Sequence, residues 1–125
     1  MDRHEPEVFT DNLLQLAVVD GKETIEVKWL GKSVQREPGR FIAPVLAGVI
    51  EKSNGLRKKI VLDFRELAYM NSSTLTPVIK ILDRAKRGSV QLKVIYDKSI
   101  KWQDLNFSAL NLFETKDRRV EVRGL

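Results

Sequence analysis

KIVLDFRELAYMNSSTLTPVIKILDRAKR, residues Lys59–Arg87, is the stretch of the sequence that decides the fold. Ile60, Val61, Leu62 and Phe64 form a nearly unbroken apolar run, typical of a strand buried on both faces of a sheet. After a polar turn, apolar residues recur at i, i+3 and i+4 spacing, which predicts a helix with one apolar face. They are Leu75, Val78, Ile79, Leu82 and Ala85. A turn between a buried strand and a helix lies where α/β sheets usually keep their functional site.

The polar turn Asn71–Thr74 has two interpretations. The first N–H groups of a helix lack intrahelical partners, and Asn, Ser and Thr side chains accept hydrogen bonds from them, so N-capping is the commoner use of such residues. Because the helix dipole also favours negative charge there, a hydroxyl in this turn is well placed to carry a phosphate. Pro77 is tolerated only in a first helical turn, which predicts that regular helix begins near Ser73 or Thr74, with Ser72 and Ser73 exposed.

Further strands and helices flank this stretch. The sequence predicts strands at 14–19, 24–30, 90–96 and 119–123, and helices at 41–54 and from 100 towards 113. Trp29 is expected in the core, and Gly31–Gly39 is expected to be a polar loop that can contact a partner beside the serines. Alternating strands and helices predict an α/β fold, a mixed β-sheet with parallel crossovers and helices packed against it.

Length and composition set the outer bounds. A chain of 125 residues with 42% hydrophobic and 31% charged residues is expected to form a single globular domain over 1–125, with 1–12 as a flexible polar tail. There is no cysteine, and the only histidine, His4, lies in that tail, which argues against thiolate chemistry and a histidine-based metal site. With no apolar leader and no membrane-length run, we expect a cytoplasmic protein without a membrane partner.

The formal charge of +5 and the pI of about 9.6 raise nucleic-acid binding as an alternative function. The basic residues are scattered, without aromatic residues between them and without a helix-turn-helix or zinc pattern. Three local groups of basic residues stand out, at 57–59, 84–87 and 116–119. A solvated surface is the favoured interpretation, and an acidic protein partner would also fit this charge.

Catalytic patterns are missing from the sequence. It contains no glycine-rich phosphate loop, no G-x-S-x-G elbow and no cluster of metal ligands. Asp63, at the end of a strand, is interpreted as an acid that organises the adjacent loop through hydrogen bonds, because nothing completes a catalytic set around it. We therefore expect no catalytic residue, no cofactor and no metal.

IVLDFRELAYMNSSTL resembles the signature of the STAS domain, the fold of anti-sigma factor antagonists. In that signature, a strand with an aspartate leads through a short loop into Met-Asp-Ser-Ser-Gly-Leu-Gly at the start of a helix. Asp63 matches the strand aspartate, Met70 the hydrophobic residue, Ser72 and Ser73 the serine pair, and Leu75 the leucine. Strand and helix order extend the resemblance over most of the chain.

The motif departs from the family pattern at three positions. Asn71 stands where the family has Asp, and Thr74 and Thr76 replace its glycines. By the family alignment Ser73 is the phosphoacceptor, whereas a related family of bacterial regulatory phosphoproteins, with Asn-Thr-Ser-Ser, would place the phosphate on Ser72. The missing Asp and glycines also permit a third alternative, a constitutive STAS-like scaffold or ligand-binding domain.

The resemblance implies a non-enzymatic signalling protein that acts by partner switching. Its implied partners are an anti-sigma factor or serine kinase of the histidine-kinase-like ATPase fold, and a serine/threonine phosphatase that resets the switch. Phosphorylation would control binding through the segment Met70–Thr76, called the serine turn below. The predicted partner-binding residues are Met70, Asn71, Ser72, Ser73, Thr74, Leu75 and Thr76.

Overall fold

The structure is a computed structural model that describes residues 5–125, so His4 lies outside the described residues. The strands are β1 (Glu7–Asp11), β2 (Leu14–Asp20), β3 (Thr24–Ser33), β4 (Lys59–Asp63), β5 (Leu67–Met70), β6 (Leu92–Tyr96) and β7 (Val120–Gly124). The helices are α1 (Gly39–Leu56), α2 (Leu75–Arg87) and α3 (Lys101–Ser108), with short 3₁₀ turns at Ser72–Thr74 and Ala109–Phe113.

The strands form one mixed sheet in the order β1-β2-β3-β4-β6-β7, and β5 pairs with the far end of β3. The β1–β2 and β2–β3 pairs are antiparallel, whereas β3–β4, β4–β6 and β6–β7 are parallel and are connected through α1, α2 and α3. This arrangement confirms the predicted α/β fold with parallel crossovers. It brings the carboxyl end of β4 and the amino end of α2 to the same edge of the sheet.

The prediction of a flexible polar tail over 1–12 is wrong for Glu7–Asp11, which form the edge strand β1. Phe9 lies opposite Leu16 of β2 and packs against the core, while Val8 is exposed. An edge strand that buries so little apolar surface has almost no periodic signal, so its polar composition was misleading.

The polar loop expected at Gly31–Gly39 is shorter than predicted, because β3 continues through Ser33. Gly31 has φ +85°, and a Cβ at this position would lie 2.1 Å from the carbonyl oxygen of Leu13, so only glycine fits here. The register shifts between Gly31 and Lys32, and β5, which the sequence did not predict, pairs with β3 across this irregularity. The result is that Ser33 ends directly beside the serine turn.

An aromatic chain anchors the core beneath that edge. The ring centroids of Trp29 and Phe64 are 4.5 Å apart, as are those of Phe64 and Phe107 of α3. All three side chains are fully buried, which confirms the core placement predicted for Trp29. Tilted aromatic pairs at this distance stabilise a core beyond their area burial. Phe64, which follows β4, is thereby fixed against both the sheet and α3.

Candidate functional site

Asn71 fixes the start of the serine turn. Its side-chain oxygen accepts hydrogen bonds from the backbone N–H of Thr74 (3.2 Å) and from the Thr74 hydroxyl (2.8 Å). Its side-chain amide donates to the carbonyl oxygen of Gln35 (2.8 Å), and its backbone N–H donates to the carbonyl oxygen of Ser33 (3.0 Å). The N-capping interpretation is confirmed for Asn71, which also ties the turn to the segment between β3 and α1.

Thr74 belongs to the interior rather than to the surface. Its side chain is fully buried, and its hydroxyl forms a 2.7 Å hydrogen bond with the hydroxyl of Ser33, which is also buried. Two of the three departures from the STAS signature, Asn71 and Thr74, are therefore bonded to each other. An aspartate at position 71 could accept from Thr74 but could not donate to Gln35, so the asparagine fits this network specifically.

The two serines lie where the sequence predicted them. Ser72 and Ser73 form the exposed outer part of the 3₁₀ turn, and their hydroxyls make no hydrogen bond with any residue in the described range. Regular α-helix begins one residue later than expected, at Leu75, so Pro77 falls within the first turn of α2.

The predicted partner-binding set divides in two. Ser72, Ser73 and Thr76 are exposed, and Asn71 and Leu75 are half-buried. Met70 is 7% exposed and Thr74 is 0% exposed, so neither offers a partner a surface, and the prediction of direct contact is wrong for both. Their side chains instead hold the turn against the sheet.

Asp63 ends β4 with its side chain almost wholly buried, and it accepts three hydrogen bonds from Arg65: from the backbone N–H (3.0 Å), Nε (3.0 Å) and Nη2 (2.9 Å). Burial of the carboxyl raises the pKa of Asp63, but these hydrogen bonds and the positive charges of Arg65 and Lys28 outweigh it, so the pKa lies below its ordinary value. Asp63 therefore remains an ionised acceptor that holds the loop between β4 and β5.

Gln103 is a buried polar residue beneath the site that the sequence pattern did not reveal. It is fully buried in α3, and its side-chain amide donates to the carbonyl oxygens of Phe64 (2.8 Å) and Leu67 (3.1 Å). Its side-chain oxygen accepts from the backbone N–H of Asp97 (2.8 Å). Gln103 lies one helical turn before the buried Phe107, and this i, i+4 relation was the available signal that it faces the core.

A cavity of about 270 Å³ opens beside Ser73. The segment before α1 and the start of α1 form one wall, and the first turns of α2 form the other. Its lining residues are Arg36, Glu37, Pro38, Gly39, Ala43, Ser73, Thr76, Pro77 and Lys80. The loop before α1 thus lies beside the serine turn, at the position predicted for a partner contact.

A larger and more apolar cavity of about 450 Å³ lies on the other side of α1, against β1, β2 and β3. Phe9, Val18, Phe41 and Val49 contribute to its walls, and Lys52 lies at its rim. None of the residues of the serine turn lines this cavity. Any ligand bound here would therefore occupy a site separate from the serines.

Several members of the three basic groups have structural partners. Lys58 donates to Asp20 Oδ1 (2.5 Å) and to the carbonyl oxygen of Gly21 (2.6 Å), and Arg87 pairs with Asp83 (2.7 Å). Arg119 donates to backbone carbonyl oxygens of the last turn of α2. These basic side chains therefore have structural roles within the fold, which explain part of the positive charge without a ligand.

Over residues 5–125, no helix combines the length and apolar character needed to cross a membrane. Within the same described range, no group of three or more His, Cys, Asp or Glu side chains is arranged to hold a metal ion.

Comparison with solved structures gives an informative similarity. No protein-family model matches the chain, and a search of curated proteins found no match. Among solved structures, the chain is similar to an uncharacterized protein of the DUF3478 family, with a SpoIIAA-like fold, from Shewanella loihica PV-4. The two structures align with a TM-score of 0.54 and 16% sequence identity, and the alignment covers 100% of this chain and 88% of that chain. At this identity the similarity shows the fold alone. The chain has a SpoIIAA-like fold of the STAS type, as the resemblance of its central motif implied.

Proposed function

We propose that this protein is a non-enzymatic, cytoplasmic signalling protein that exchanges protein partners when a serine of the serine turn is phosphorylated. The observation that carries this proposal is the contrast within one turn. Asn71 and Thr74 are bonded into the fold, whereas the hydroxyls of Ser72 and Ser73 are exposed beside them. A kinase needs an accessible hydroxyl, and a switch needs that hydroxyl on a rigid support.

Ser73 is the favoured phosphoacceptor, with Ser72 as the alternative. Ser73 lines the cavity that also contains Arg36 and Lys80, whereas Ser72 does not. Positive side chains close to a phosphate stabilise it through charge-assisted hydrogen bonds. The position of Ser73 therefore agrees with the alignment to the STAS signature.

The switch would act through charge and volume. A phosphate adds about −1.5 to −2 charges, which a helix amino terminus tolerates because its N–H groups and dipole favour anions. A docked interface that covers the same hydroxyl would have to desolvate that charge and make room for it, which opposes binding. The proposed partners are an anti-sigma factor or serine kinase of the histidine-kinase-like ATPase fold, and a serine/threonine phosphatase that removes the phosphate.

The absence of catalysis is part of the proposal. Asp63 is the buried acid that precedes the serine turn in the sequence, and Arg65 engages both of its carboxylate oxygens. A carboxylate held in this way has a lowered pKa and is poorly suited to accept a proton from a substrate. This geometry supports a structural role for Asp63 and leaves the hydroxyls as receivers of a phosphoryl group.

The test is phosphosite mapping by tandem mass spectrometry on the protein from its native host, together with Ser72→Ala and Ser73→Ala variants. We expect phosphate on Ser73, lost in Ser73→Ala and retained in Ser72→Ala. Partner capture with both variants and with Ser73→Glu should show weaker binding only for Ser73→Glu. An unmodified turn under several growth conditions, with the same partner captured by all variants, would refute the switch.

A second candidate function is binding of a small apolar ligand in the cavity between α1 and strands β1–β3. Its volume of about 450 Å³ and its mostly apolar lining favour this alternative. Native mass spectrometry of the protein purified without denaturation would reveal a bound molecule as a constant mass increment. Its loss on Val49→Trp, which fills the cavity, would assign the site.

A further inference from the structure

We propose that the groove between α1 and α2, which opens at Ser73, binds an acidic amphipathic helix of a protein partner, and that a phosphate on Ser73 blocks this binding by taking the cations of the groove. Binding of the helix does not require phosphorylation, but the regulation of this binding rests on the function proposed above.

The groove is formed by two adjoining cavities. The cavity at Ser73, of about 270 Å³, and a second one of about 210 Å³ share Ala43, Pro77 and Lys80, so together they follow the two helices without a break. From Thr76 to Arg84 the groove runs for about 12 Å along α2, a little more than two helical turns. This length matches the contact face of a short docked helix.

The floor of the groove is apolar and close to the helix backbones. Ala43 and Ala47 of α1 are exposed, and Pro77 and Ile81 of α2 form the opposite side. Because the alanine side chains are short, a docked element can approach α1 closely and bury apolar side chains on this floor. Recognition of an amphipathic helix in such a groove depends on side chains at i, i+3, i+4 and i+7 spacing.

The rim of the groove is positively charged. Arg36, Lys80 and Arg84 line it, are not buried, and form no ion pair with any residue between 5 and 125. The acidic residue of the groove, Glu37, is already paired with Arg40 (2.7 Å).

Other cations on the same helices have partners. Arg87, which does not line the groove, pairs with Asp83 (2.7 Å), and Lys52 lies 3.7 Å from Asp20. The charges left without a partner thus lie beside an apolar floor. This combination is complementary to an amphipathic helix whose apolar face is flanked by Glu or Asp.

A nucleic acid fits this groove less well than an acidic helix. Single strands are bound mainly by bases stacked on aromatic side chains along a positive track. The residues that line the groove include no Phe, Tyr or Trp, and the floor instead offers small aliphatic side chains. The cations alone would attract a phosphate backbone, so an oligonucleotide is a necessary competitor in the test.

Phosphorylation of Ser73 would change the groove through cations of the same chain. Ser73, Arg36 and Lys80 line one cavity, so a phosphate on Ser73 has two cations within the same space. Charge-assisted hydrogen bonds to both would neutralise that end of the rim and fill part of the cavity. The acidic helix would lose its electrostatic partners even if it never touched Ser73 itself.

The experiment titrates the isotope-labelled full chain with two synthetic helical peptides and follows backbone amides by NMR. Both peptides have the same Leu/Ala face, and they differ only in flanking Glu or Lys residues. We expect the Glu peptide to shift the amides of Ala43, Ala47, Lys80 and Ile81, and the Lys peptide to leave them unchanged. A Lys80→Glu/Arg84→Glu variant should bind the Glu peptide about tenfold more weakly or worse.

A matched control separates local recognition from net charge. Lys98→Glu/Lys101→Glu changes the total charge equally at exposed positions that do not line the groove. We expect this control to bind the Glu peptide with less than about a twofold change at physiological salt, because distant surface charges are screened. An equal loss in both double variants, or equal binding of the Lys peptide, would overturn the groove as the recognition site.

Three further outcomes would also overturn the proposal. They are the absence of amide shifts with millimolar Glu peptide, shifts centred on the cavity between α1 and β1–β3, and tighter binding of a single-stranded oligonucleotide to the same groove amides. The regulatory part is tested separately on the chain with phosphoserine at position 73, which should bind the Glu peptide about tenfold more weakly. Unchanged binding there would refute the regulation, whereas an unphosphorylated protein in the host would refute only the function proposed above.

Discussion

The two ends of α2 satisfy their polar groups in different ways. At the carboxyl end, Arg119 donates hydrogen bonds to the carbonyl oxygens of Ala85 and of Lys86 (3.1 Å). At the amino end, the inner side of the turn is equally well bonded through Asn71 and Thr74, but the hydroxyls of Ser72 and Ser73 remain exposed on its outer side.

This difference separates polar groups that are hydrogen-bonded within the fold from polar groups that are exposed and can bind a partner or a phosphate. Orphan groups at helix ends are normally satisfied by side chains, as happens at the carboxyl end of α2. Around the amino end, by contrast, exposed hydroxyls lie next to Arg36 and Lys80, which have no ion-pair partner among residues 5–125. Changes to the hydrogen-bonded groups should therefore alter stability, and changes to the exposed groups should alter binding.

The largest loss of stability is expected for Thr74→Val, which keeps the shape of the buried side chain and removes its hydroxyl. The hydroxyls of Ser33 and Thr74 are 2.7 Å apart in the interior, so the variant leaves Ser33 unsatisfied. We expect a loss of about 2 kcal/mol in the free energy of unfolding, measured by urea denaturation. Thr76→Val, at an exposed position of the same turn, is the matched control and should change stability by less than about 0.5 kcal/mol.

A double-mutant cycle sharpens this prediction. If the Ser33–Thr74 bond causes the loss, then Ser33→Ala/Thr74→Val should cost clearly less than the sum of the single variants, because both partners are removed together. Additive losses would mean that the two hydroxyls contribute independently, which contradicts a stabilising hydrogen bond between Ser33 and Thr74.

At the other end of the helix, Arg119→Met should destabilise the protein by about 1–2 kcal/mol. Methionine retains the apolar stem but cannot donate to Ala85, Lys86 or Val90, whose carbonyl oxygens Arg119 now contacts. Arg118→Met is the neighbouring control at an exposed position. Hydrogen exchange should show the loss as faster opening of the last turn of α2; exchange that accelerates only elsewhere would contradict the capping role of Arg119.

Asp63, which holds the loop between β4 and β5, should make the stability of the fold depend on pH. Its folded-state pKa lies below its ordinary value of 3.8, so its contribution to stability is fully present above pH 3.8 and is lost as the pH falls through the folded pKa. We expect Asp63→Asn to reduce stability by about 1–2 kcal/mol at pH 7. The variant should also show a shallower decline in stability below pH 3.8 than the wild type. Parallel declines in urea titrations from pH 7 to 3 would show that other carboxyls control the acid transition.

The sequence predicted the elements that bury a periodic apolar surface. β4 and α2 follow from the apolar run at 60–64 and from the i, i+3, i+4 pattern after it. β1 and β5 were missed because both are short and bury few residues, and β5 pairs with β3 across the register shift that follows Gly31. No local pattern contains information about that pairing.

The same limit applies to the candidate site. The serine turn was visible as a contiguous motif, whereas the groove beside it depends on the packing of α1 against α2. Arg84, Lys86 and Arg87 form one basic group in the sequence, yet of these three only Arg84 lines the groove. Lys86 donates to the carbonyl oxygen of Leu112 (3.2 Å), and Arg87 pairs with Asp83 (2.7 Å). Which cation remains unpaired is a tertiary property that spacing alone does not specify.

The smallest effect on stability is expected for Ser72→Ala and Ser73→Ala, although Ser73→Ala should have the largest effect on regulation. Because neither hydroxyl is bonded within the described residues, each change should alter the free energy of unfolding by less than about 0.5 kcal/mol. Urea denaturation of the unphosphorylated proteins measures this directly, with Asn71→Ala, expected to cost about 1 kcal/mol, as the capping control in the same turn. A loss for Ser73→Ala as large as that for Asn71→Ala would mean that the serine hydroxyl helps to hold the turn. Its phosphorylation would then disturb the fold itself, and the distinction between the bonded and the exposed side of this turn would no longer hold.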